Sequence, residues 1–167
     1  MGCKERLEQY LREQSVPFQV QHHPETFTAQ ELAASEHVSG KSVAKVVMVL
    51  ADGQLVMLAL PAPDHVDLAK VRTLLDARDV RLAGEADFAS WFPDCEVGAM
   101  PPFGHLYELA LYLDESLVDD GTIYFQAGTH TDTISMSFAD YQRLAHPAIA
   151  VFARGVESGT NRKGGTR

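Results

Sequence analysis

An α+β fold is predicted by three features of the sequence. Strand-like apolar runs follow one another through short turns. Helical patterns interrupt them unevenly. The regular βαβα alternation that builds a Rossmann-type parallel sheet is missing. The 167 residues suit one domain, and 46% apolar content is enough for a sizeable core. Residues 1–153 are expected to form that domain. Residues 154–167 are polar and Gly-rich and are expected to be a disordered tail.

The elements follow in order. Residues 4–14 read as an amphipathic helix with Leu7, Tyr10 and Leu11 on one face. Val16 to Gln21, broken by Pro17, reads as a short strand. Thr28 followed by Glu31 is a capping-box pattern that opens a helix through about Ser35. Val43 to Leu50 and Leu55 to Leu60 are nearly continuous apolar runs joined at Asp52-Gly53. They predict a hairpin at the centre of the sheet. Asp67 to Asp76 has helical spacing at Leu68, Val71, Leu74 and Leu75, and Glu85 to Trp91 is a shorter helix. Gly98 to Gly104, GAMPPFG, is a shaped loop. Tyr107 to Leu113, Thr122 to Ala127 and Thr133 to Ser137 are strands. Asp140 to Leu144 is helical, and Ala148 to Phe152 is an edge strand.

Composition narrows the function classes. A formal charge of −9 argues against nonspecific coating of nucleic acid. Lys41, Lys45, Lys70, Arg72, Arg78 and Arg81 nevertheless fall close together in sequence and leave room for a local basic mouth. No long uncharged apolar run suggests a membrane span, and the polar start lacks the core of a secretory signal. Arg6 stands where a myristoylation pattern requires Ser or Thr. Cys3 and Cys95 make no disulfide framework and fit a reducing cytoplasm. No paired Cys/His spacing suggests a metal, and no Walker or GxGxxG pattern suggests a nucleotide cofactor.

Three places can carry chemistry. Lys45 heads a core strand, where its stem can pack while its ammonium reaches water. The same placement can fix a cation at a pocket mouth, for a phosphate, a carboxylate or a developing oxyanion. In GAMPPFG, Gly98 and Gly104 permit unusual backbone or close approach, and Pro101-Pro102 stiffens the loop. Met100 and Phe103 can form an apolar wall there. In AGTH, the Gly128 N–H can meet a carbonyl oxygen and His130 can contact a substrate. His22 and His23 cannot both face one side of a strand and read as structural. No serine has a GxSxG context, and nothing near Cys95 activates a thiol.

Together, HHPETFTAQELA, SVAKVVMVL, GAMPPFG and AGTHTDTISM resemble, in order and spacing, the YbaK/prolyl-tRNA-editing family, which hydrolyses mischarged aminoacyl-tRNA. The resemblance runs from about His22 to Phe152. It implies a mixed, curved, barrel-like sheet flanked by helices. It assigns Lys45 to the terminal adenosine end of the substrate. It assigns Gly98 and Pro102 to the loop shaping the aminoacyl pocket, Gly128 to a backbone contact with the substrate carbonyl, and His130 to substrate positioning. It implies a free-standing trans-editing deacylase with no cofactor. The partners implied are the aminoacyl-tRNA acceptor end and, at need, a synthetase. Water attacks the activated ester, so no covalent nucleophile is required. Alanine is the amino acid the resemblance favours, with cysteine and serine as alternatives. Val46 departs from the polar residue that commonly follows the family lysine, and so bears on specificity. A non-catalytic tRNA- or synthetase-binding module and a small-molecule hydrolase or binding protein are the rival readings. They differ in whether tRNA binding and ester cleavage occur together.

Overall fold

The computed structural model describes residues 2–155. Its chain order is α1 (Cys3–Glu13), β1 (Phe18–His22), α2 (Ala29–Ser35), β2 (Ala44–Ala51), β3 (Gln54–Pro61), β4 (His65–Val66), α3 (Leu68–Leu75), β5 (Val80–Leu82), α4 (Glu85–Phe88), β6 (Leu111–Asp114), β7 (Thr122–Gln126), β8 (Asp132–Ser137), α5 (Phe138–Ala145), β9 (Ala148–Ala150) and β10 (Ala153–Arg154). The α+β class holds.

Two sheets do most of the packing. One has the order β5-β2-β3-β6-β9, mixing antiparallel and parallel pairs; the other has the order β1-β8-β7 and is antiparallel. The β2–β3 hairpin lies inside the larger sheet, as its continuous apolar runs require when both faces are covered. Asp52 and Gly53 both take positive φ at its turn, a backbone twist that matches the strands. A parallel bridge from Val43 to Tyr124 joins the two sheets just ahead of β2. The strands therefore form separate sheets and do not close into the expected barrel.

The capping box at α2 is present: the Thr28 hydroxyl accepts from the Glu31 N–H, and the Glu31 carboxylate accepts from the Thr28 N–H. Asp67 and Ser137 also cap α3 and α5 through their side-chain oxygens. The strand expected from Tyr107 starts only at Leu111, because Gly104–Tyr107 is a 3-10 turn closed by Glu108 in the left-handed region. Arg154 pairs with His65 through β10 and β4, so ordered structure passes the boundary expected at 153. Residues 156–167, expected to be a disordered tail, lie outside the described residues.

Cys3 and Cys95 are joined in a disulfide, which overturns the reading of two unpaired thiols. The bond ties the start of α1 to the loop ahead of Gly98. Among the described residues, no helix is long and apolar enough to cross a membrane.

Candidate active site

Lys45 lies at the start of β2, just past the Val43–Tyr124 bridge, and pairs across the hairpin with Leu60. There the two sheets part and leave a small cavity of about 130 Å³. Several parts of the chain line it. β2 and its approach give Val43, Ala44 and Lys45. The start of α2 gives Phe27, Thr28, Ala29 and Leu32. β7 and β8 give Phe125, Gln126 and Thr133, and the end of β1 gives His23; Ala62 closes the edge. At about 30 Å³ per water molecule, the space admits a few waters or a group of a few heavy atoms. A nucleotide must remain outside it.

Lys45 is the one residue with a full charge among these. It is half-buried, and burial pushes its pKa below the ordinary 10.5, partly offset by the Asp64 carboxylate. Asp64 itself pairs with Lys41 at 3.3 Å. Among the described residues the Lys45 side chain makes no ion pair or hydrogen bond. It is a cation held without a partner, in a wall that is otherwise apolar or neutral. Such a group gains when a negative charge enters the pocket.

The other predicted residues stand elsewhere. Met100, Pro101, Pro102, Phe103 and Gly104 are buried and do not line the cavity. Phe103 packs edge-on against Phe125, at 5.5 Å between ring centroids, and against Tyr141 at 5.3 Å. The loop thus braces the pocket wall from behind. Gly104 is needed for packing: a Cβ there would sit 2.6 Å from the Leu109 carbonyl oxygen.

Gly128 does not offer the free amide the sequence suggested. Its N–H donates to the Ala99 carbonyl at 2.9 Å, and its carbonyl accepts from the Glu96 N–H at 2.8 Å. The residue is buried against the disulfide, where a Cβ would fall 2.5 Å from Cys3 Sγ. Its role in the structure is close packing. His130 sits beside Gly98, where an added Cβ would approach the ring at 3.5 Å. The ring reaches the pocket only through Gln126, at 3.4 Å. Val46 points to the main core rather than the cavity. Val46 alternates with Lys45 and lies on the core-facing side of β2 with Ala44 and Met48; Ala44 still reaches the cavity edge, and Val46, one step further along, does not.

His23, Gln126 and Thr133 were missed in the sequence. His23 and Thr133 are buried, and the His23 Nε2 lies 2.8 Å from Thr133 Oγ1. His23 also stacks on Phe27 at 5.0 Å. The available signal was strand alternation itself: if His22 and His23 face opposite ways, one must turn inward. His22 is the outward one and pairs with Asp132 at 3.0 Å. Among the described residues, no group of three or more His, Cys, Asp or Glu is placed to hold a metal ion.

Comparison with known proteins gives this site a context. Residues 23–144 match the model of a family described as "Aminoacyl-tRNA editing domain". A proline–tRNA ligase of Streptomyces coelicolor is 32% identical over 110 residues, covering 66% of this chain and 19% of the ligase. The multifunctional Ser/Thr-tRNA deacylase ProXp-y of Escherichia coli is 30% identical over 102 residues, covering 60% of each chain. The chain therefore spans about a fifth of the ligase and three fifths of the deacylase. A crystal structure of a proposed trans-editing enzyme for prolyl tRNA synthetase superposes with a TM-score of 0.79. It covers 92% of this chain and 98% of that one, at 21% identity, which speaks to the fold.

Proposed function

The chain belongs to the aminoacyl-tRNA editing-domain family, and from that premise we propose that it is a trans-editing deacylase. It removes a small amino acid, such as alanine, serine or cysteine, from mischarged tRNA. The observation that carries this reading is the unpaired, half-buried Lys45 in a cavity of about 130 Å³. The pocket has room for the aminoacyl group and leaves the ribose and the rest of the acceptor end at its mouth. Phe27, Leu32, Val43 and Phe125 form the sieve that limits side-chain size. A steric sieve of this kind separates substrates differing by a methylene only about 10–200-fold, so small residues leak into each other's range.

The reaction is attack of water on the ester carbonyl, followed by release of the free amino acid and the tRNA hydroxyl. Lys45 places its positive charge at the ester end of the substrate. With the Gly128 amide engaged, the lysine takes over the electrostatic role that the sequence had divided between them. The cavity lining includes no serine or cysteine, which suits direct hydrolysis. The relatives that are proline–tRNA ligases suggest a tRNA for proline, working in the cytoplasm with or without a synthetase. Ser/Thr specificity belongs to ProXp-y, and it makes seryl- and threonyl-tRNA worth including in a test.

The test is a panel of alanyl-, seryl-, cysteinyl-, threonyl- and prolyl-tRNA incubated with the purified protein. Fast release of one or more small amino acids and sparing of proline is the expected result. No deacylation across the panel, with or without a synthetase added, would overturn the reading.

A further inference from the structure

Two histidines, His23 in the cavity lining and His130 behind it, orient two pocket oxygens. The Nδ1 of His23 lies 3.0 Å from the Pro24 carbonyl oxygen. A carbonyl can only accept, so Nδ1 carries the proton. In the neutral ring, Nε2 is then an acceptor, and the Thr133 hydroxyl 2.8 Å away must donate to it. The Thr133 oxygen is left with only lone pairs to offer the cavity. The same logic holds for His130. Its Nε2 lies 2.7 Å from the Val97 carbonyl oxygen, so that nitrogen is the donor. Its Nδ1 accepts, over a long 3.4 Å, from the Gln126 side-chain amide nitrogen. The amide oxygen of Gln126 is thereby fixed as the other end of the group. Gln126 and Thr133 are direct cross-strand partners on β7 and β8, and both line the cavity.

We infer that Gln126 and Thr133 form a paired acceptor site for the free α-ammonium of the aminoacyl ester, with His23 and His130 as positioning residues that fix its polarity. The inference rests on the editing reading above and names the group by which that site recognises its substrate. It separates the pocket into two ends. Lys45 on β2 meets the ester, and the acceptor pair on β7 and β8 meets the amine. A donor-rich, positively charged substituent is what a pair of outward lone pairs selects.

The experiment compares each good substrate of the panel with its α-hydroxy counterpart, lactyl-tRNA for alanyl-tRNA or glyceryl-tRNA for seryl-tRNA. The replacement of ammonium by hydroxyl hardly changes size. Rates are divided by the spontaneous hydrolysis rate of each ester. The wild type is expected to favour the amine by tenfold or more. Thr133→Val and Gln126→Leu should erode that preference in protein that remains folded, with Thr133→Val also losing some stability because it leaves the buried His23 Nε2 unpaired, and Thr133→Ser should keep it. His23→Leu should lower it in the wild-type background and have no further effect when combined with Thr133→Val. His23→Gln, which retains an acceptor, should restore it in part. Equal handling of amine and hydroxyl esters by the wild type, or additive losses from His23→Leu and Thr133→Val, would overturn the inference while leaving deacylation standing. Failure of the whole panel would instead remove the reading beneath it.

Discussion

At the residue scale, Lys45 sets function against stability. Its folded-state pKa is lowered, mainly by burial. For a base, that means the charged form is disfavoured by folding. The penalty is present in full below the lowered value. It fades as pH rises through the window between the lowered value and the ordinary 10.5. Lys45→Met should therefore leave the melting temperature unchanged or raise it, measured by calorimetry at pH 7. The same variant should reduce deacylation by about 10²–10³-fold, the usual loss for one oxyanion partner. A folded variant with near-normal turnover would remove Lys45 from the mechanism. Activity that depends on the ammonium should also fall on the alkaline side earlier than an ordinary lysine would allow, once spontaneous ester hydrolysis is subtracted. Two glycines give a second contrast at this scale. Gly98 and Gly128 both have positive φ, 86° and 98°. Alanine at Gly98 would meet His130 only at ordinary contact distance, so it adds backbone strain of roughly 1–2 kcal/mol. At Gly128 it would also strike Cys3 Sγ at 2.5 Å. Gly128→Ala should thus be clearly the more destabilising of the two in urea denaturation, and equal midpoints would contradict the packing role given to Gly128.

At the level of elements, the disulfide ties α1 to the loop that seats Gly98 and His130. It closes a long stretch, with the cysteines 92 positions apart in sequence. Cross-links over loops of that size typically contribute about 2–4 kcal/mol. For a chain of this length each 1 kcal/mol moves the melting temperature by about 2–4 °C. Thermal unfolding with and without a thiol reductant should therefore differ by several degrees, and thiol titration should rise by two per chain on reduction. Identical melting curves would show that the bond contributes nothing to stability. This bond also marks where the sequence stopped being legible. Local chemistry was readable: the Thr28 and Glu31 capping box, the Asp52-Gly53 turn, the β2–β3 hairpin and the helical spacing of α3 all depend on neighbours in sequence. Lys45 was readable for the same reason, as a charge at the head of an apolar strand. The acceptor wall was not, because His23 meets Thr133 across 110 residues and only the β1–β8–β7 pairing brings them together. GAMPPFG was legible as a shaped loop. Its burial behind Phe125, rather than in the cavity, depends on the packing of Phe103 against β7 and α5.

On the scale of the molecule, charge decides how the proposed editing function would engage tRNA. The chain carries a formal −9, so long-range attraction to a polyanion is unfavourable. Of the basic residues that cluster in sequence, Arg81 separates in space from Lys41 and Lys45. Lys41 and Lys45 lie at the pocket end of β2. Arg81 lies opposite Leu50 near the other end, roughly 16 Å away at about 3.3 Å per residue. Arg81 is paired with Asp87 there. Lys41 is paired with Asp64 but more than half exposed, so it can exchange that partner for a phosphate. Lys45 lines the cavity and Lys41 lies near it through their shared neighbour Asp64, so these two cations are placed to meet the backbone of the acceptor end. Each phosphate contact with a single strand contributes about −0.7 to the slope of log affinity against log salt. The slope for binding a non-hydrolysable aminoacyl-tRNA analogue should therefore be shallow, no steeper than about −2. Lys41→Ala should flatten it by about one contact, or roughly 0.7, while a substitution at Arg81 should leave it unchanged. Fluorescence anisotropy over a salt series reads all three. A slope several times steeper would mean that a wider surface than the pocket mouth grips the tRNA. A shallow slope fits an enzyme that recognises the acylated end and leaves the body of the tRNA to a partner.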